Sequence, residues 1–162
     1  MTSGVVVLLV AVGLALAVGS SRLATDGRFR GERDGRRPSS ERKKGRWSSS
    51  ERSERVETPP AADVVRRAGG VLGEQATLLQ FSSAFCAPCR TTRRVLADVA
   101  GRVDGVTHVE VDAEHHLDAT RELGVLRTPT TLVLDAAGRE VARASGAPTR
   151  DQVLAAVGRA LP

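Results

Sequence analysis

An α/β domain with a mixed central sheet and helices on both faces is the fold class the sequence predicts for residues 61–162. Three observations carry this class and the bounds given to it. Short apolar runs of strand length alternate with stretches of helical periodicity, the pattern of strand–helix–strand crossovers. Charge is unevenly placed: residues 61–162 hold 12 basic and 12 acidic side chains, whereas residues 22–60 hold 12 basic and 7 acidic and supply the whole net charge of +5. Residues 1–21 carry no charged side chain. These compositions exclude a uniform globular chain. They also argue against nucleic-acid binding by the folded part, because the positive charge belongs to the stretch before it. Two cysteines exclude a disulfide-stapled mini-protein and a four-cysteine metal site within one chain.

Val5–Val18 is apolar apart from Gly13. With its uncharged flanks, residues 1–21 would make a helix of about 31 Å at about 1.5 Å per residue, against a hydrocarbon core of roughly 30 Å. A single N-terminal transmembrane helix is the expectation. The rival is a cleaved signal peptide: Ala15-Leu16-Ala17 has the small-x-small pattern, but no Lys or Arg precedes the run. Arg22, Arg28, Arg30, Arg33, Arg36 and Arg37 follow the run, so the positive-inside rule puts the bulk of a single-pass protein of the cell membrane in the cytoplasm. Residues 22–60 are rich in Ser, Arg, Glu and Gly and are expected to be a disordered basic linker. Its flexible reach would be about 35 Å. Arg42, Lys43, Lys44 and Arg46 beside Trp47 suit anionic lipid heads better than nucleic acid.

The element order expected for residues 61–162 is (α)βαβαββα. Ala62–Arg67 reads as a short helix closed by Gly69-Gly70, and Ala76–Ser82 as a strand buried on both faces. Val95, Leu96, Val99, Ala100 and Val103 form a helical stripe within Cys89–Val103. Thr107–Val111 alternates as a strand, and Glu114–Leu123 reads as a helix with His115 and His116 in its exposed first turn. Thr130–Leu134 is a second buried strand. Asp135–Gly138 is its hairpin turn, and Glu140–Ala144 returns. Thr149 caps the last helix in a capping box with Gln152, burying Val153, Leu154 and Val157.

The chemistry lies in Cys86-Ala87-Pro88-Cys89, between a buried strand and the start of a helix. Unpaired amides and the macrodipole at a helix N-terminus favour negative charge. A cysteine there ionises more easily, and the thiolate is its reactive form. Pro88 fits the first turn, where its missing N–H costs nothing. Arg90, Arg93 and Arg94 add positive charge. Cys86 would attack a partner disulfide, and Cys89 would then attack Cys86 and release the reduced partner. No metal site is expected, since His108, His115 and His116 lack ligand spacing, and Arg90 where haem attachment needs His excludes that reading.

The stretch Phe81-Ser-Ser-Ala-Phe-Cys-Ala-Pro-Cys-Arg90 resembles the active-site stretch of the thioredoxin family, and Arg127-Thr-Pro-Thr130 resembles that family's cis-proline loop. Val111-Asp112, Gly138 and Gly146 also fall where the family has them. The resemblance implies a thioredoxin-like fold over residues 61–162, with Cys86 and Cys89 catalytic. It implies that Phe85, Ala87, Pro88, Thr128 and cis-Pro129 contact the substrate chain. Phe85 stands where the family usually has Trp, and Ala87 where it usually has Gly. Gln80 takes the place of a buried carboxylate used for proton transfer to the second cysteine. Gln cannot titrate, so that proton is expected to pass through water or His108, with slower exchange. The first strand of the family is expected to be missing or replaced.

The function expected is a membrane-tethered protein-disulfide reductase without a cofactor. Its partners would be protein disulfides and a thiol reductant system such as a thioredoxin reductase. The alternatives are an outward-facing oxidoreductase acting on exported proteins or apocytochromes, and a non-catalytic adaptor. The intact cysteine pair favours catalysis, since an adaptor does not need both thiols.

Overall fold

The computed structural model describes residues 2–25, 27–31 and 58–161. Helix α1, Thr2–Thr25, contains the apolar run. Its large apolar side chains from Val6 to Val18 are 48–68% exposed. Its side chains are described over residues 6–19, a length of about 21 Å at about 1.5 Å per residue. Among the described residues no helix is long and apolar enough to cross a membrane, so the spanning helix expected from the sequence is not among the observed elements.

Strand β1, Phe29–Gly31, corrects the expectation of disorder from residue 22 to 60 where that stretch is described. Most of the expected linker, and Trp47 with its basic neighbours, lies outside the described residues. β1 pairs with the returning strand of the hairpin, Phe29 opposite Ala144 and Gly31 opposite Ala142. Phe29 packs on the core, and Gly27 N–H donates to Ser145 O at 2.8 Å. Gly27 has φ +74°, and a Cβ there would stand 2.2 Å from Ala147 O. An average composition hides such a strand, because one aromatic residue and one glycine are enough to dock three residues on an open sheet edge.

From there the order is the expected one. Helix α2, Pro60–Arg67, leads to strand β2, Ala76–Ser82, and helix α3, Ala87–Ala100. Strand β3, Val106–Asp112, and helix α4, Leu117–Glu122, follow. Strands β4, Thr130–Asp135, and β5, Glu140–Ser145, form the hairpin, and helix α5, Arg150–Val157, closes the fold. Among the described residues the sheet has five strands in the order β1-β5-β4-β2-β3, with β2 and β3 parallel and the remaining pairs antiparallel. Every residue of β2 is buried. Ala76 and Leu78 face Leu96 and Val99 of α3 and Val153 and Val157 of α5. Leu79 and Phe81 face Val64 and Val65 of α2 and Ala119 of α4. Two apolar layers therefore sandwich one sheet, and each buried Leu or Phe contributes roughly 1.5–3 kcal/mol of transfer free energy.

Three local expectations shift. α4 begins at Leu117, because the Asp112 carboxylate accepts Glu114 N–H at 2.8 Å and turns the chain. His115 and His116 therefore precede the helix, His115 beside Asp112 and His116 bonded to Asp112 O. α3 starts at Ala87, two residues early, and ends at Ala100 with Gly101 as its cap. Leu154 is 36% exposed, and Ala156 takes the inner position expected for it. The Thr149–Gln152 capping box forms as expected.

Candidate active site

The site is built where β2 ends and α3 begins, at the carboxyl end of the central strand. Cys86 is the N-cap of α3 in extended conformation, so its side chain lies at the mouth of the free amides. Cys89 N–H donates to Cys86 Sγ at 3.2 Å. The cysteines are joined in a disulfide, with Cα atoms 5.2 Å apart. Cys89 is 2% exposed, while Cys86 is only half-buried. Ala87 and Pro88 between them are exposed, and Phe85 is 97% exposed. One sulfur is thus reachable from outside, and its partner lies beneath it.

The hairpin brings the second half of the site. β4 runs antiparallel to β2, with Thr130 opposite Phe81, so the start of β4 must lie beside the end of β2. The Thr128–Pro129 peptide bond is cis, and Pro129 is buried. Thr128 Oγ1 is 3.2 Å from Ser83 Oγ, a side-chain bond across 45 residues of sequence. Pro129 O accepts Gly146 N–H at 2.7 Å, and Thr130 Oγ1 donates to Arg127 O. The loop carrying Thr128 and Pro129 is therefore fixed to β2 and β5, next to the cysteine loop.

A polar chain underlies the cysteines. Gln80 is fully buried, and its amide nitrogen donates to Cys89 O at 3.1 Å. Its amide oxygen is then left to accept, and His108 Nε2 lies 3.1 Å from it. This arrangement requires the tautomer with hydrogen on Nε2. His108 holds Gln80, and its Nε2 is not a base open to Cys89. The proton route through His108 expected from the sequence is closed at that nitrogen, because Gln80 stands between. Burial pushes the His108 pKa below 6.5, against the opposing pull of Glu110. Partial burial also opposes ionisation of Glu110, but the Arg93 guanidinium and the Ser82 hydroxyl outweigh it and hold the carboxyl below its usual value. The bonds from Gln80 to Cys89 and from Glu110 to Ser82 and Arg93 were not foreseen. One signal was present: a lone amide in a mostly apolar buried strand.

Two surface hollows, of about 360 and 520 Å³, lie at α4 with Val64 and Arg67, and at the hairpin turn with Pro59 and Pro60. Neither is lined by Cys86 or Cys89. Cys86 sits at a rim with exposed Phe85, Ala87 and Pro88, a shape suited to the surface of a macromolecule.

Residues 69–159 match the family model described as thioredoxin. The thioredoxin of Alicyclobacillus acidocaldarius is 30% identical over 84 residues, covering 51% of this chain and 79% of that protein. Thioredoxin H2-1 of Oryza sativa is 34% identical over 70 residues, covering 43% of this chain and 50% of that relative, so the chain spans half its length. Fasciola hepatica thioredoxin superposes with a TM-score of 0.50 at 21% identity, over 60% of this chain and 88% of that one, which supports the fold alone. With the family model covering more than half its length, the chain belongs to the thioredoxin family.

Proposed function

We propose that the chain is a protein-disulfide oxidoreductase that acts as a reductant from a membrane tether. The asymmetry of the cysteine pair carries the reading: Cys86 is accessible at the N-terminus of α3, and Cys89 is buried one turn below. In the reduced protein the Cys86 thiolate attacks one sulfur of a partner disulfide. That bond breaks, a mixed disulfide forms, and the other partner sulfur leaves as a thiolate. The Cys89 thiolate then attacks Cys86 Sγ and expels the second partner sulfur. Two electrons have passed to the partner, and the Cys86–Cys89 disulfide is formed. A thiol reductant system such as a thioredoxin reductase returns the pair to its dithiol. Phe85, Ala87, Pro88, Thr128 and Pro129 form the surface on which the partner chain rests.

The Cys89 proton reaches solvent through water, since Gln80 cannot accept it and His108 Nε2 is engaged. In this reading α1 is the tether, supported by its exposed Val and Leu side chains, and the arginines after it favour a cytoplasmic domain.

A Cys89→Ser form should accumulate mixed disulfides through Cys86, resolved on non-reducing gels. A folded variant that captures no thiol partner would refute the catalytic reading. A reporter active only outside the cytoplasm, fused after Pro162, should stay silent, while a cytoplasmic reporter at the same place should be active. The opposite pattern would move the substrates to exported proteins.

A further inference from the structure

We propose that the catalytic face selects partner disulfides flanked by acidic residues, an inference that rests on the oxidoreductase reading above. Arg90 and Arg94 are exposed and stand one turn apart on α3. At about 1.5 Å of rise per residue, Arg94 lies about 12 Å along the helix from Cys86. That exceeds the screening length of about 8–10 Å at ordinary ionic strength but lies well inside the roughly 30 Å of dilute salt, so the pull of Arg94 is strongest at low ionic strength. Among the described residues neither guanidinium meets a carboxylate. Their fellows differ: Arg93, Arg102, Arg139 and Arg143 each sit on one, Glu110, Asp98, Asp135 and Glu140.

Among the described residues, no carboxylate of the neighbouring loops meets either guanidinium. Ser83, Ala84 and Phe85 are uncharged, as are Gly146, Ala147 and Pro148. Asp112 is bonded to His115 and to Glu114 N–H, and Glu110 to Arg93 and Ser82. Two bare cations thus stand on the helix that begins at the cysteines, whereas Arg67, Arg93, Arg102, Arg121, Arg139, Arg143 and Arg150 each meet a carboxylate. Two apolar side chains stand on the same rim: Phe85, 97% exposed, precedes Cys86, and Leu126, 96% exposed, lies two residues before Thr128. An extended segment with a cystine, an apolar residue and Asp or Glu nearby meets all of these groups. Its negative charge would also steer the encounter.

The test uses the full chain in a nonionic detergent, reduced and then mixed with one of three probes. Two are cystine peptides identical except for Glu or Lys beside the disulfide, and the third is hydroxyethyl disulfide, a small neutral reference for thiol reactivity. At low ionic strength the Glu peptide should react about tenfold faster than the Lys peptide, the scale expected of two exposed charge contacts. The ratio should collapse in concentrated salt and in R90Q/R94Q, with each rate normalised to hydroxyethyl disulfide. Equal rates for the two peptides, or a ratio that survives R90Q/R94Q, would overturn the proposal while leaving the oxidoreductase reading standing. If none of the three probes is reduced, that reading falls and the selectivity with it.

Discussion

Gln80 concentrates the demands placed on a single residue here. Its amide satisfies Cys89 O and His108 Nε2 at once, inside a strand with no access to water. Gln80→Ala would leave a void and two groups without partners. We expect a loss of about 2–4 kcal/mol in chemical unfolding, the combined scale of a core truncation and unmade hydrogen bonds. Gln80→Asp would place a titrating group beneath Cys89, and insulin reduction at neutral pH should rise about threefold or more, a modest share of what general bases contribute. An unchanged rate would show that proton removal does not limit exchange. His108 gives a pH signature. Its pKa is lower in the native state than its ordinary value of 6.5. Below that value the unfolded chain takes up a proton that the native state resists, so stability should fall as pH drops from about 7.5 to 5.5. Thermal unfolding of His108→Gln should be flatter across this window. The lowered carboxyls Glu110, Asp112 and Asp135 lose their stabilising share only in more acid solution, as pH falls through their own depressed values.

The elements differ in how openly their residues declare them. β2 was legible to its ends, because Ala76 to Ser82 is a mostly apolar stretch buried on both sides. α5 was legible at its start, because Thr149 and Gln152 make a capping box whatever surrounds them. Thr149→Ala should therefore cost about 1 kcal/mol in unfolding free energy. α4 was overextended in the sequence reading, since an Asp side chain turning the next residues leaves no trace in apolar periodicity. β1 was missed, because its stability comes from β5, more than 100 residues further on, and not from its own composition. Gly27→Ala should detach it: the new Cβ would meet Ala147 O at 2.2 Å, and φ +74° already disfavours any side chain. Hydrogen exchange at the Arg143 and Ser145 amides, which face β1, should then accelerate, while amides of β2 keep their protection. Gly138 is similarly confined, since a Cβ at its φ of +78° would stand 2.4 Å from Ala62 Cβ, where α2 rests on the hairpin turn.

At the scale of the whole molecule, the cysteine motif was legible because local order alone places a nucleophile at a helix start. Its counterpart was legible only through resemblance: the nearness of Thr128 to Ser83 follows from the pairing of β2 with β4, which no local pattern announces. Removing residues 2–25 should release the protein from membranes into the soluble fraction, measured by flotation; continued membrane association would exclude α1 as the tether.

The docking of β1 changes how far the domain can travel. The 39 residues between an anchor and α2 suggested an arm of about 35 Å. But Gly27 is already bonded to the sheet, and α1 ends at Thr25, so only a residue or two separates helix from domain. A domain of about 100 residues has a radius of gyration near 13 Å. If α1 is held in a bilayer as proposed, the cysteines would work only in the shallow layer that such a body sweeps, and disulfides farther from the bilayer surface would lie beyond its reach.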